Sequence, residues 1–239
     1  LQNKWYSEKE EIRKNMPNIS GFPVKMSSYS AVFEMDRKAF VAGGLTEDNI
    51  VLNTLETYDE FAQEWTSLTP MSEFRAGPAH THLHQKFYVI GGKNGNGDVL
   101  DTCECYDPVS NSWSPIRSMT VKRRHAVAFT LNGLIYVFGG YGEDGSVLSE
   151  AEKYDPMSNK WTAIESMPVK RVLFNGDISC GKIFIFGGYA DDSDCKSKSF
   201  VMYDPETDAW EDRSPSSEIS ACLAVPIPAS FPTPVANLE

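Results

Sequence analysis

Basic residues are scarce in this chain. Among its 239 residues, 22 lysines and arginines stand against 33 aspartates and glutamates, a formal net charge of −11. Such a balance excludes a nucleic-acid binder, which needs a basic face for phosphate. It equally disfavours docking on anionic lipid. Long apolar runs are missing too, and none approaches the ~20 residues that a membrane helix needs. The opening Leu1-Gln2-Asn3-Lys4-Trp5 has neither a signal-peptide apolar core nor an initiator methionine, so the chain reads as a piece cut from a longer protein. Histidine occurs four times. Cysteine occurs five times, an odd number, scattered over Cys103, Cys105, Cys180, Cys195 and Cys222. That scatter fits reduced thiols in a cytoplasmic protein better than a disulfide framework. The remaining composition, 41% hydrophobic and 23% charged, is that of a globular chain able to bury a core without staples.

The chain does have a strict internal period. Glycine doublets stand at Gly43-Gly44, Gly91-Gly92, Gly139-Gly140 and Gly187-Gly188, each 48 residues after the last. Tyr-Asp pairs at Tyr58, Tyr106, Tyr154 and Tyr203, and tryptophans at Trp65, Trp113, Trp161 and Trp210, keep the same beat, with one extra residue in the fourth unit. Each unit carries four short strand signals. In the third, Ala126 to Leu131 reads as a strand and Asn132-Gly133 as a hairpin turn. Leu134 to Phe138 is a continuous apolar run buried on both faces, and it stops at Gly139-Gly140. A polar loop, the Tyr154 strand, an Asp155-Pro156 turn and the Trp161 strand follow. Repeats of about 50 residues with four strands read as blades of a β-propeller. The strands are lettered A to D from the axis outward. The glycine pair permits unusual backbone angles and close approach. Asp-Pro starts a turn, and the Tyr and Trp are large enough to fill the wedge between blades.

The set Gly-Gly, Tyr-Asp-Pro and Trp at this spacing resembles the kelch repeat. Four units match, at about 24–70, 71–118, 119–166 and 167–214, with Tyr58-Asp59-Glu60 departing from Tyr-Asp-Pro in the first. The ends read as one split blade. Asn3-Lys4-Trp5 and Met16-Pro17 echo Asn159-Lys160-Trp161 and Met167-Pro168, while Ile219 to Val225 resembles an A strand. The expectation is an all-β kelch propeller over 1–225: four complete four-stranded blades plus a closing blade from 1–23 and 218–225, hence five blades, or six if upstream residues are missing. An extended tail, 226–239, would follow.

The resemblance also directs attention to the mouth where the D–A and B–C loops gather. In BTB–kelch adaptors, the residue after Gly-Gly and those just after the D–A loop contact the partner peptide. Carried over, these are Lys93, Asn94, Tyr141, Tyr189, Arg124 and His125, with Arg75 and Arg171 beside them. For the arginine that recurs as Arg75, Arg123 and Arg171, two readings stay open: contact with the partner, or packing against a neighbouring blade. The B–C tips (Glu47-Asp48, Glu143-Asp144, Asp191-Asp192) are acidic and the D–A loops basic. Metal and cofactor sites are not expected. His80 and His82 fall on an A strand, but His84 falls in the following turn. Cys103 and Cys105 share one side of a C strand with no second cysteine pair at zinc spacing. Cys105 and Tyr106 point to opposite faces, unlike the crosslinked pair of kelch-fold copper oxidases. The resemblance implies a non-enzymatic protein-interaction module: the substrate-recognition propeller of a BTB–kelch adaptor for a cullin-RING ubiquitin ligase. Cullin would be reached only through a BTB domain outside this chain. A cytoskeletal kelch scaffold is the alternative, and a propeller oxidase or sugar mutarotase the remote one.

Overall fold

A computed structural model describes residues 28–59, 61–190 and 199–213. Among these residues there are sixteen strands and no helix, grouped as four antiparallel four-stranded sheets. The first blade is β1 (Ala31–Met35), β2 (Lys38–Leu45), β3 (Val51–Asp59) and β4 (Glu64–Leu68). The second is β5 (Ala79–Leu83), β6 (Lys86–Ile90), β7 (Cys103–Asp107) and β8 (Ser112–Ile116). The third is β9 (Val127–Leu131), β10 (Leu134–Phe138), β11 (Ala151–Asp155) and β12 (Lys160–Ile164). The fourth is β13 (Asn175–Ser179), β14 (Lys182–Phe186), β15 (Phe200–Asp204) and β16 (Ala209–Asp212). Each sheet runs A-B-C-D in order, and the A strands β1, β5, β9 and β13 lie side by side. These are the blades of a kelch-type propeller. The split closing blade and the tail lie outside the described residues.

The sequence markers have visible causes. Every A–B connection places two consecutive residues at positive φ: Asp36-Arg37, His84-Gln85, Asn132-Gly133 and Cys180-Gly181. Two such residues make the hairpin turn whose twist matches the strands. Only the third has the Asn-Gly signal; the fourth keeps the glycine, after Cys180, and the first two hold the same conformation without any glycine. In each C–D turn an aspartate carboxylate accepts the backbone N–H two residues on: Asp59 from Phe61, Asp107 from Val109, Asp155 from Met157 and Asp204 from Glu206.

The Tyr and Trp of each blade pack ring against ring, with centroids 5.0–5.3 Å apart. They also tie successive blades together. Trp113, Trp161 and Trp210 donate their indole N–H to the carbonyls of Thr69, Arg117 and Glu165, at the end of the preceding blade. Tyr106, Tyr154 and Tyr203 donate to Asn111, Asn159 and Asp208, whose oxygens also accept the N–H of Thr69, Arg117 and Glu165.

Candidate functional site

The recurring arginine is an internal fastener. Arg75, Arg123 and Arg171 are fully buried, so the side chains of Arg75 and Arg171 lie inside the blades rather than on the exposed rim of the mouth. The main chain of each joins the blade before it: Gly44, Gly92 and Gly140 donate to the carbonyls of Arg75, Arg123 and Arg171. The side chain grips the blade ahead. Arg75 Nη1 donates to the carbonyls of Gly91 and Thr102 at 2.9 and 2.8 Å, and Arg123 Nη1 to those of Gly139 and Glu150, both at 2.9 Å. The first glycine of the doublet is required at this crossing. A Cβ on Gly43, Gly91 or Gly139 would collide with the carbonyl oxygen of the next blade's arginine, and all three have positive φ.

The residues flanking this fastener form the mouth. The residue after each doublet pairs with the residue entering the A strand of the same blade: Ser28 with Leu45, Ala76 with Lys93, Arg124 with Tyr141, and Val172 with Tyr189. These bridges bring together the two loop sets that the sequence suggested. One residue further along stand Tyr29, Gly77, His125 and Leu173, each left-handed and each 48 residues after the last. Gly77 N–H donates to the Tyr29 carbonyl at 2.8 Å, and His125 N–H to the Gly77 carbonyl at 2.7 Å. A collar of main-chain bonds therefore steps from blade to blade.

Side chains on the collar make one connected cluster. The His125 ring lies over Gly77, edge-on to Tyr29 at 4.8 Å and to Tyr141 at 6.3 Å. The Arg124 guanidinium sits over the Tyr141 ring at 4.6 Å, a cation–π arrangement. Tyr29 and Leu173 are exposed; Arg124, His125, Tyr141 and Tyr189 are half-buried. The sequence reading missed Tyr29 and Leu173. Their signal was present, since they share the phase of His125, but they share no side-chain chemistry with it.

Two expected contacts look different in three dimensions. Asn94 shapes its own loop: its carbonyl oxygen accepts the N–H of Asn96 and Asp98, and its amide donates to Asp98. Lys93 is exposed and joins the mouth through its main chain. The two loop charges also meet, because Lys122 Nζ lies 2.7 Å from Glu143, so part of the basic rim is neutralised by the acidic one.

The histidine row is dispersed. His80 packs edge-on against Phe33 at 5.3 Å, and burial pushes its imidazole below the ordinary value. His82 is exposed, and His84 occupies the turn at φ 50°. Cys105 pairs across the sheet with Tyr88 rather than with its neighbour Tyr106. Burial raises the Cys105 thiol and pushes Cys103 up to about 12, the opposite of an activated nucleophile. Among the described residues, no three His, Cys, Asp or Glu gather as metal ligands.

Comparison with known proteins agrees with this architecture. The solved structure of YjhT superposes with a TM-score of 0.69 at 18% identity, over 84% of this chain and 69% of that one. Likeness at that identity speaks for the fold alone. No curated protein matches. A family model described as the Attractin/LZTR1 β-propeller matches residues 2–224, and the chain belongs to that family of kelch-type propellers.

Proposed function

We propose that this propeller is a protein-interaction module that receives a short extended segment of its partner at the mouth between the D–A and B–C loops. One observation carries the reading: Tyr29, His125, Tyr141 and Arg124 form a connected aromatic and cationic cluster on a rigid collar. Tyr and Arg dominate the energetics of protein interfaces because they bury large area and also make directed polar contacts. An arginine already held against a ring loses little freedom when it meets a carboxylate. The segment received at Arg124 is therefore acidic at that position. The role is one of binding, with no catalytic residue assigned.

The finer reading is that of a substrate-recognition propeller in a BTB–kelch adaptor acting in the cytoplasm. It is supported by the resemblance of the repeats. Recovery of the full-length protein tests it: a BTB domain upstream and co-purification with a cullin are expected, and a full-length sequence without that domain sinks the adaptor role. The mouth itself is tested by a pull-down with the wild-type propeller and with Arg124→Ala/Tyr141→Ala. The double variant is expected to lose its specific partners while its melting temperature moves by no more than about 2 °C, since surface substitutions cost little. Undiminished capture would place the binding surface elsewhere.

A further inference from the structure

The mouth is built from repeated junctions, and they do not carry the same chemistry. At each junction the D–A loop leading into one blade closes on the B–C loop of the blade before it. Arg75 donates its main-chain N–H to the carbonyl of Leu52, Arg123 to that of Leu100 and Arg171 to that of Leu148, at 2.9–3.1 Å. The residue before each arginine and the residue two before each leucine are thereby carried to the same rim. Between the second and third blades these are Lys122 and Asp98, and between the third and fourth Lys170 and Ser146. Between the first and second they are Phe74 and Ile50.

The two later junctions are charged. Lys122 Nζ lies 2.7 Å from Glu143, and Glu143, with Asp101 and Asp98 nearby, holds the ammonium above its ordinary value. At the next junction Asp144 accepts from the hydroxyl and N–H of Ser146, and with Lys170 nearby its carboxyl lies below the usual carboxylate range. The first junction has no charge at either position. Phe74 is 50% exposed and Ile50 59%, which leaves large apolar area in water. Thr46 N–H donates to the Ile50 carbonyl, folding that loop back beside Leu45, and Leu45 bridges Ser28. Tyr29 follows, exposed, with its ring 4.8 Å from that of His125. The mouth therefore has an apolar side on the first and second blades, continuous with the Arg124–Tyr141 cluster of the third.

We propose that the segment received at the mouth carries two anchors: an acidic residue at Arg124 and a bulky apolar residue, aromatic or branched aliphatic, that covers Phe74 and Ile50. This names the partner's chemistry and rests on the binding reading above. Charge complementarity fixes which way round the segment lies. A carboxylate over the first junction would lose water and meet no cation there, whereas at Arg124 it meets a guanidinium already held over a ring. An apolar side chain over the later junctions would strip water from Lys122, Glu143 and Asp144, at a cost. Over Phe74 and Ile50 it removes apolar surface from water on both partners.

The test selects random-sequence peptides displayed on phage against the whole chain. Enriched peptides are expected to share an acidic residue and a bulky apolar residue at a fixed spacing. Ile50→Asp/Phe74→Lys places at the first junction the residue types that the next one carries as Asp98 and Lys122. It is expected to bind the enriched peptides about tenfold more weakly or worse, as loss of one buried apolar side chain implies. Selection against it should keep the acid and drop the apolar residue, and Phe74→Ser, a single change at a half-exposed site, should weaken binding in the same direction. Arg124→Ala/Tyr141→Ala should instead relax the acid. Unchanged affinity of Ile50→Asp/Phe74→Lys and of Phe74→Ser for those peptides overturns this inference and leaves the mouth as the binding surface. No enrichment, or peptides indifferent to both double variants, overturns the binding reading and this inference with it. Self-association of the wild type in sedimentation velocity that Ile50→Asp/Phe74→Lys abolishes would give the apolar side to a second copy of the chain and overturn a separate partner there.

Discussion

A glycine and an acid illustrate how single residues hold this fold. Gly133 and Gly139 both have positive φ, at 76° and 57°, but only Gly139 faces the carbonyl of Arg171; nothing lies within 4 Å of a Cβ on Gly133. Gly133→Ala is expected to cost about 1 kcal/mol of backbone strain. Gly139→Ala should cost several times as much, since a neighbouring main chain must move; urea denaturation of the two variants reads the difference. Glu152 is buried, pairs with Arg123 and accepts the N–H and hydroxyl of Thr120. Glu152→Ala should cost about 3–5 kcal/mol, because it strands a buried cation. Equal stability of that variant and the wild type would show that the arginine is held by its carbonyl contacts alone.

The strands show the same logic at the next scale. B strands such as β10 are buried along almost their whole length, as their apolar runs imply. D strands are half exposed, and their tryptophans do not contribute equally. Trp161 is buried and donates to Arg117 of the preceding blade, whereas Trp113 is half-buried. Trp161→Ala should cost about 3–5 kcal/mol by emptying the space between two blades, and Trp113→Ala less. A chemical-denaturation midpoint equal for both would refute a packing role set by burial.

Across the molecule, the core between the second and third blades joins Tyr88, Cys103, Cys105, Tyr154 and Trp161 in one cluster. Burial pushes the Cys103 thiol from 9.0 to about 12 and the Tyr154 phenol from 10.0 to about 12. Below pH 9 both groups are protonated in the folded and the unfolded chain, and their contribution to stability is fully present. Above it the unfolded chain ionises first and gains stability, so the fold loses stability as pH rises from about 9 towards 12. Melting temperatures taken at successive pH values should be level near neutrality and fall through that window. Cys103→Ala should make the fall shallower; an unchanged slope would remove the thiol from the account.

Much of the fold was legible because its signals are local. A 48-residue beat, an Asp-Pro turn and an apolar run each specify the conformation of a few consecutive residues, and four repetitions at one phase leave little choice of architecture. The mouth was legible in part, through the residues after each glycine pair. Arg75 and Arg171 could not be placed from sequence, since a surface arginine and a buried one are the same letter; only the docking of Gly91 and Glu104 on Arg75, and of Gly187 and Ser199 on Arg171, takes them out of water. Tyr29 and Leu173 joined His125 for a like reason: their kinship is a backbone angle and, for Tyr29, a chain of main-chain hydrogen bonds through Gly77. The sequence alone therefore determined the strands and their order, because these depend on near neighbours along the chain. The tertiary structure decided which charges are buried and which rings meet, because those depend on how one blade docks against the next.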